Sequence, residues 1–424
     1  MIRRYLIWQH RWTGLLMTVF LIVVGLTGSM LSYRVELERL INPQLFATPT
    51  LGAKPLDLAT LAERAEAAEP HARVGYFSYV PARGGPDQVV LACGPRLNPA
   101  TGKPYQLDFD HLFLNPWTGE ELGRRRDYDT SQVGRITFMP FIYRLHTSLA
   151  LGTAGGLVLG YVALVWTLDC FIGFYLTLPA SKGAFWKRWK TAWWVKWRAN
   201  AFRINFDLHR AGGLWVWPLL FIFAWSSVMF NLSPVYEKVT RAVFDYQSDM
   251  DFITSFHGHA IEKPKLDWRA AQARGEQLLA QQAMIHGFTI QQPFGLAYLE
   301  NEGVYSYDAI TSRSFRAHGW GTGVWLDGDT GELKHLWLPD GEHAGNTITN
   351  WLWAFHFGDV YGLRSYRFLV FVIGLLISML SVTGVYIWWK KRHGRMIAAA
   401  RKRLLSGNQP VVAGNAADLM RGNR

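Results

Sequence analysis

Four apolar stretches, at residues 12–33, 149–178, 214–232 and 368–389, are each long enough to cross a bilayer as a helix. Between them the pattern changes. Residues 58–68 are rich in Ala, Leu and Glu and stop before Pro70, and residues 268–283 repeat that character and stop before Gly287, so each predicts a helix. The β-type runs 74–80 and 303–307 follow them between Gly and Pro, which predicts strands. The pattern gives eight segments. A cytoplasmic N-terminus and span 1 (1–33) lead to a first extracytoplasmic α+β domain (34–140), then span 2 (141–178), a cytoplasmic loop (179–205) and span 3 (206–232). A second extracytoplasmic α+β domain (233–350), span 4 (351–389) and a tail (390–424) complete the chain. The first apolar run exceeds a signal-peptide core and has no small-x-small cleavage site, so it reads as a retained signal anchor.

Charge sets the expected orientation. The N-terminal segment, the loop and the tail hold nineteen Lys or Arg against Asp418 alone, while the whole chain is only +12. All three fall on one side of a four-span protein, and the positive-inside rule makes that side cytoplasmic, with both termini there. The basic balance therefore reports topology and membrane lipid, not nucleic acid. The Trp-rich loop 185–197 reads as an interfacial anchor. Cys93 and Cys170 fall on opposite sides of this topology and cannot pair, and a lone Cys93 reads as a small buried hydrophobe.

Four histidines stand beside the apolar stretches and fall into two look-alike pairs. His10-Arg11-Trp12-Thr13-Gly14-Leu15 is echoed by His209-Arg210-Ala211-Gly212-Gly213-Leu214, and His146 and His356 each precede a glycine by six residues. Ionisable groups within a membrane are rare away from functional sites. A second repeat supports internal duplication: Asn115-Pro116-Trp117-Thr118-Gly119-Glu120 and Asp327-Gly328-Asp329-Thr330-Gly331-Glu332 both read as hairpin turns, 212 residues apart. The expected fold is a membrane α-helical bundle of four spans with two extracytoplasmic α+β domains.

His10 and His209 enter from the cytoplasmic side, and His146 and His356 from the other, so each level offers two imidazoles at one depth. Neutral imidazole is a common haem ligand, and without a Cys-x-x-Cys-His the haem is b-type, two per chain. Glycines near the histidines, Gly14 and Gly213 among them, are expected to make room for the macrocycle. Arg11 and Arg210, with Arg144 and Arg364 on the other side, are candidates for the haem propionates. Phe20, Phe221 and Trp225 are candidates for carrying electrons between the haems. Zinc is disfavoured because each depth lacks a third ligand. His257 and His259 read as a solvated loop, and His318, His335 and His343 lack ligand spacing.

The motif set resembles the PepSY-associated transmembrane family, often called iron-regulated membrane proteins, over His10 to Lys390. The family includes inner-membrane di-haem ferric-siderophore reductases. The resemblance implies PepSY-like extracytoplasmic modules, a bacterial inner-membrane location and a ferric siderophore as acceptor, with electrons passing from the cytoplasmic to the periplasmic haem and ferrous iron released. Trp320, Trp325, Trp337 and Trp353 are candidates for stacking on that substrate. No flavin or nicotinamide fingerprint is visible, so a separate reductase or the quinol pool is the expected donor. Two other readings stand beside this one: a conduit serving a periplasmic protein acceptor, and a non-redox membrane scaffold.

Overall fold

The computed structural model describes residues 1–424 other than 51, 83–84, 130–132, 181–182, 249–259, 317–320, 361–362, 364 and 408–424. His257, His259, His318, Trp320, Gly362, Arg364 and the end of the basic tail lie outside the described residues. The helices, in chain order, are α1 (Ile2–Leu31), α2 (Arg34–Ile41), α3 (Leu58–Ala68), α4 (Phe138–Ser148), α5 (Gly152–Thr177), α6 (Phe185–Lys190), α7 (Ala201–Trp215), α8 (Trp217–Asn231), α9 (Ser233–Val243), α10 (Trp268–His286), α11 (Ala344–Phe357) and α12 (Ser365–Gly407). The strands are β1 (Ala72–Ala82), β2 (Gly85–Pro95), β3 (His111–Leu114), β4 (Glu121–Arg125), β5 (Ile290–Leu299), β6 (Val304–Thr311), β7 (Thr322–Asp327) and β8 (Leu333–Trp337). Two units are distinguished. One comprises Met1–Thr18, Ile172–Trp215 and Met379–Arg424; the other comprises Val19–Phe171 and Val216–Ser378.

Helices α1, α5 and α12 are long and apolar enough to cross a membrane, whereas α7 and α8 meet that test only as a broken pair. The stretch 214–232 is therefore not one continuous helix. Pro218 sits in the first turn of α8, and a proline there has no N–H for the Leu214 carbonyl one turn back, so the chain breaks at Val216. The spans expected over 141–178 and 351–389 also differ. Leu149 and Ala150 take left-handed φ of 53° and 56°, which ends α4 before α5 begins. Gly358, at φ 67°, caps α11 in the same way. His146 and His356 thus lie in the last turns of two short helices that precede the spans, rather than opening the spans themselves.

Within the second unit α1 and α12 cross closely. A Cβ on Gly25 would lie 2.6 Å from the Gly374 carbonyl oxygen and 2.7 Å from Ser378 Oγ, and one on Gly374 would overlap the Gly25 carbonyl and Ser29 Oγ. Ser29 Oγ donates to the Phe371 carbonyl at 2.8 Å, and Ser378 Oγ reaches the Ile22 carbonyl at 3.5 Å. Gly25-x-x-x-Ser29 against Gly374-x-x-x-Ser378 is small-residue packing of the kind that lets membrane helices touch backbone to backbone. Residue 25 meets 378 while 29 meets 374, so the two helices are antiparallel.

The strand sets expected as two separate domains form one antiparallel sheet in the order β4-β3-β2-β1-β5-β6-β7-β8. The join is β1 with β5, where Tyr76, Phe77 and Ser78 pair with Ala297, Leu296 and Gly295. Each half of the sheet alone would leave a free edge, and pairing the edges satisfies those backbone groups. Helices α3 and α10 cover one face and bury Leu58, Leu61, Trp268 and Leu279 against Phe77, Leu91, Leu296, Tyr305 and Val324. Both helices start from an aspartate cap: Asp57 accepts from Thr60 N–H and Asp267 from Ala270 N–H, each at 2.8 Å. The two Thr-Gly-Glu segments are the β3–β4 and β7–β8 turns, with Gly119 and Gly331 at φ 71° and 70°. Both cysteines are free, and burial pushes the Cys93 thiol up to about 12, leaving no thiolate for chemistry at neutral pH.

One sheet residue gives the fold a pH dependence. Asp308 on β6 is fully buried between Gly295 and Gly323 of the flanking strands. Ser306 Oγ lies 3.3 Å from Oδ2, while Oδ1 has no hydrogen-bond partner among the described residues. Burial pushes the carboxyl up to about 7 from an ordinary 3.8. Between those values the folded chain binds a proton that the unfolded chain does not, so stability falls as pH rises from about 4 to 7 and levels off above. Asp308→Asn should therefore gain thermal midpoint over wild type at pH 8 relative to pH 5. An offset identical at both pH values would show that Asp308 does not titrate in that window.

Candidate functional site

Each histidine pair comes together within a single unit. In the first unit His10 on α1 and His209 on α7 have ring centroids 6.2 Å apart with planes at 59°. In the second, His146 on α4 and His356 on α11 have centroids 6.2 Å apart with planes at 64°. Two imidazoles bound to one ion from opposite sides through bonds of about 2.0 Å, each with a ring radius of about 1.1 Å, would stand about 6.2 Å apart. Both pairs match that spacing, and direct stacking of the rings would bring them closer.

The hydrogen bonds behind the rings set the tautomer. His209 Nδ1 lies 3.0 Å from the Leu380 carbonyl oxygen, which can only accept, and 3.0 Å from Thr383 Oγ1. His146 Nδ1 lies 3.0 Å from Thr27 Oγ1, whose own hydrogen goes to the Val23 carbonyl at 2.6 Å. His356 Nδ1 lies 2.7 Å from Ser226 Oγ, whose hydrogen goes to the Ile222 carbonyl at 2.7 Å. In all three the hydroxyl or carbonyl must accept, so Nδ1 carries the proton and Nε2 keeps a lone pair. That is the state a metal ligand needs, and it is the usual outer support of a ligating imidazole.

The glycines that make room are not those on the histidines' own helices. A Cβ on Gly14 would meet nothing within 4 Å, and one on Gly213 only Leu380. Instead Gly28 packs on His146, Gly173 on His10 and Gly384 on His209, where added Cβ atoms would lie 3.0, 3.5 and 3.3 Å from the ring carbon Cε1. Thr27-Gly28 and Thr383-Gly384 each supply one hydroxyl and one gap to a histidine on another helix. Neither pair was evident from the sequence, nor was Ser226. The signal of the two Thr-Gly pairs is a hydroxyl residue followed by glycine inside an otherwise apolar helix.

His146 and His356 line a cavity of about 740 Å³, within the size range of cofactor sites. Its lining is mainly apolar, with Leu21, Val24, Phe223 and Ile373 among it, and also includes the polar Arg34, Gln247, Asn346 and Thr349. Phe223 and Phe230 pack on the His356 ring at 5.3 and 5.1 Å. Of the stacking candidates, Trp337 and Trp353 line this cavity, whereas Trp325 is buried within the sheet against Val304. Phe221 packs on Phe171 and Trp217, and Trp225 on Tyr236. Phe20 is a partly buried residue of α1.

The arginines divide. Arg210 donates to the Thr191 carbonyl at 2.8 Å and to buried Asp207 at 2.9 Å, which also holds Arg203. Its charge closes the loop onto α7. Arg11 lies near Lys391 and Arg395, so that end of the first unit concentrates positive charge. Arg144 stacks over Tyr128 at 4.7 Å and donates to the Asp127 carbonyl. Asp110, His111 and Asp127 form the one three-residue cluster of metal-ligand type among the described residues. It is already knit together: His111 Nδ1 meets Asp110 at 2.6 Å, Asp110 accepts from the Asp127 and Tyr128 N–H groups, and Arg125 holds Asp127. His343 pairs with Asp245 at 2.7 Å, and His335 lies on β8. In the loop, Trp186, Trp194 and Trp197 are exposed among lysines and arginines.

No curated protein matches the chain. The family model described as PepSY-associated TM region matches residues 7–391. With apolar helices that can cross a membrane more than once and a match over nearly its whole length, this multi-pass membrane protein belongs to the PepSY-associated transmembrane family.

Proposed function

We propose that this protein carries two b-type haems and moves electrons across the bacterial inner membrane to reduce a ferric siderophore on the periplasmic side. The observation that carries the reading is the pair of matched imidazole pairs, each 6.2 Å between centroids, three of the four rings fixed as Nδ1–H tautomers. Haem bound at each pair supplies reversible one-electron chemistry. His10 with His209, and His146 with His356, are the residues that would hold the haem iron. Thr27, Ser226 and Thr383 keep the rings oriented, and Phe223 and Phe230 shut water from the His356 side. The antiparallel crossing of α1 and α12 favours an even number of spans, which fits both termini on one side, and the basic loop and tail favour the cytoplasm for that side. The family resemblance supports the acceptor. Ferric iron binds hard oxygen ligands far more tightly than ferrous iron, so one electron per iron releases the metal from its chelator. Electrons come from a cytoplasmic reductase or from quinol, and the exposed Trp186, Trp194 and Trp197 suit a lipid interface.

Purified protein, reduced with dithionite and cleared of excess reductant, should be reoxidised by a ferric hydroxamate in the presence of a ferrous trap, with one trapped ferrous ion per electron lost. Reoxidation by no ferric chelate would move the acceptor to a periplasmic protein. A protein without haem would leave only the scaffold reading.

A further inference from the structure

The cavity of His146 and His356 has one cationic side chain other than histidine among its described lining residues, Arg34. Arg34 opens α2, directly after α1, and its guanidinium stands over the Tyr143 ring at 5.3 Å. Tyr143 is three residues before His146 on α4, so it shares that helix face one turn away. The nearest carboxylate to Arg34, Asp127, is 4.0 Å away and is already held by Arg125, through Nε on one oxygen and through a second nitrogen at 3.3 Å on the other. Glu237, the acid in the same cavity lining, has Arg241 at 3.9 Å. Arg34 therefore brings to this cavity a positive charge whose ion-pair partner, Asp127, stands at 4.0 Å and is held more closely by Arg125. Arg144, which the sequence put forward for this role, is turned to Tyr128 and the Asp127 backbone instead.

Resting on the di-haem reading, we propose that Arg34 binds a propionate carboxylate of the haem held by His146 and His356, with Tyr143 stacked against its guanidinium to hold the planar fork in place. A guanidinium suits this task because it meets a carboxylate through two parallel hydrogen bonds and stays charged at every working pH. Gln247 and Asn346, bonded to each other through Gln247 N–H to Asn346 Oδ1 and Asn346 Nδ2 to the Gln247 carbonyl, add neutral polar groups to the same cavity lining. A fixed positive charge near the ring favours the state with the added electron, so Arg34 raises the reduction potential of this haem and leaves the haem of His10 and His209 untouched.

The test is an equilibrium redox titration of the full-length protein against a dye of fixed potential, with haem content measured on the same samples. The two haems are separated by their low-spin electron paramagnetic resonance signals and by repeating the titration in a His209→Ala background. Arg34→Gln should retain two haems per chain but lower the reduced-to-oxidised ratio of the His146/His356 haem about tenfold at a given dye potential, the size of effect expected from one nearby charge. Arg34→Lys should restore most of that ratio, because it keeps the charge and loses only the fork. The ratio at the other haem should not move. Two haems per chain with an unchanged ratio in Arg34→Gln would overturn the Arg34 assignment alone. A wild-type protein with fewer than two haems would overturn the di-haem reading and the assignment with it.

Discussion

A His356→Ala variant should hold one haem per chain where the wild type holds two, and a His209→Ala variant should hold the other one. The reasoning is local. Removing the His356 imidazole leaves His146 as the sole nitrogen ligand in a cavity walled by Phe223 and Phe230, neither of which can take its place. The His10/His209 pair belongs to a different unit and draws its support from Leu380 and Thr383, so it keeps its geometry. A pyridine haemochrome assay reads the count directly. Ser226→Ala should be milder: the imidazole remains, but its Nδ1 proton loses its acceptor, and loss of such outer support typically weakens metal binding about 10–100-fold. In His209→Ala the surviving haem should still be reduced by dithionite but no longer by a cytoplasmic donor. Two haems retained in both histidine variants would remove the ligand assignment and with it the proposed electron path.

The pairing of the histidines was legible because two independent regularities agreed: the His-Arg-x-x-Gly-Leu repeat fixed which residues correspond, and the charge pattern fixed which share a depth. The short helices α4 and α11 were not. Local hydropathy runs on from Phe138 through Leu178 without a polar interruption long enough to mark the turn at Leu149 and Ala150, and neither residue type announces a left-handed conformation. The break at Val216 had a visible signal in Pro218, outweighed by the apolar run around it. In the sheet, each strand set was readable from alternation and from the Thr-Gly-Glu turns, but the pairing of Phe77 with Leu296 links positions 219 residues apart, and no local pattern specifies a partner at that distance. The same holds for Thr27 and Gly28. They support a histidine on another helix, so spacing within the sequence says nothing about them, and the glycines near His10 and His209 along the chain, Gly14 and Gly213, do not touch the rings.

Gly374→Val should be strongly destabilising, and its damage should extend to the His146/His356 site. A Cβ at 374 overlaps the Gly25 carbonyl oxygen and Ser29 Oγ and lies 3.1 Å from Ser29 N. Two of those three are backbone atoms of a helix and cannot swing away, so α1 and α12 must separate. Overpacking of this kind costs about 1–3 kcal/mol, and separation also lengthens the Ser29 to Phe371 hydrogen bond. The consequence for the site follows from position: Thr27 and Gly28 lie two and three residues beyond Gly25 on α1, and Ile373 and Ile377 flank Gly374 on the cavity wall. Moving α1 outward withdraws Thr27 from His146 Nδ1, so haem at that pair should be bound more weakly while the His10/His209 haem is retained. Gly14→Ala is the matched control, because its Cβ meets nothing within 4 Å and the change should stay within about 0.5 kcal/mol. Thermal midpoints in detergent, followed together with haem content, separate the two variants. Equal midpoints for Gly374→Val and Gly14→Ala would mean that the crossing of α1 and α12 is looser than the distances at Gly25 and Gly374 require.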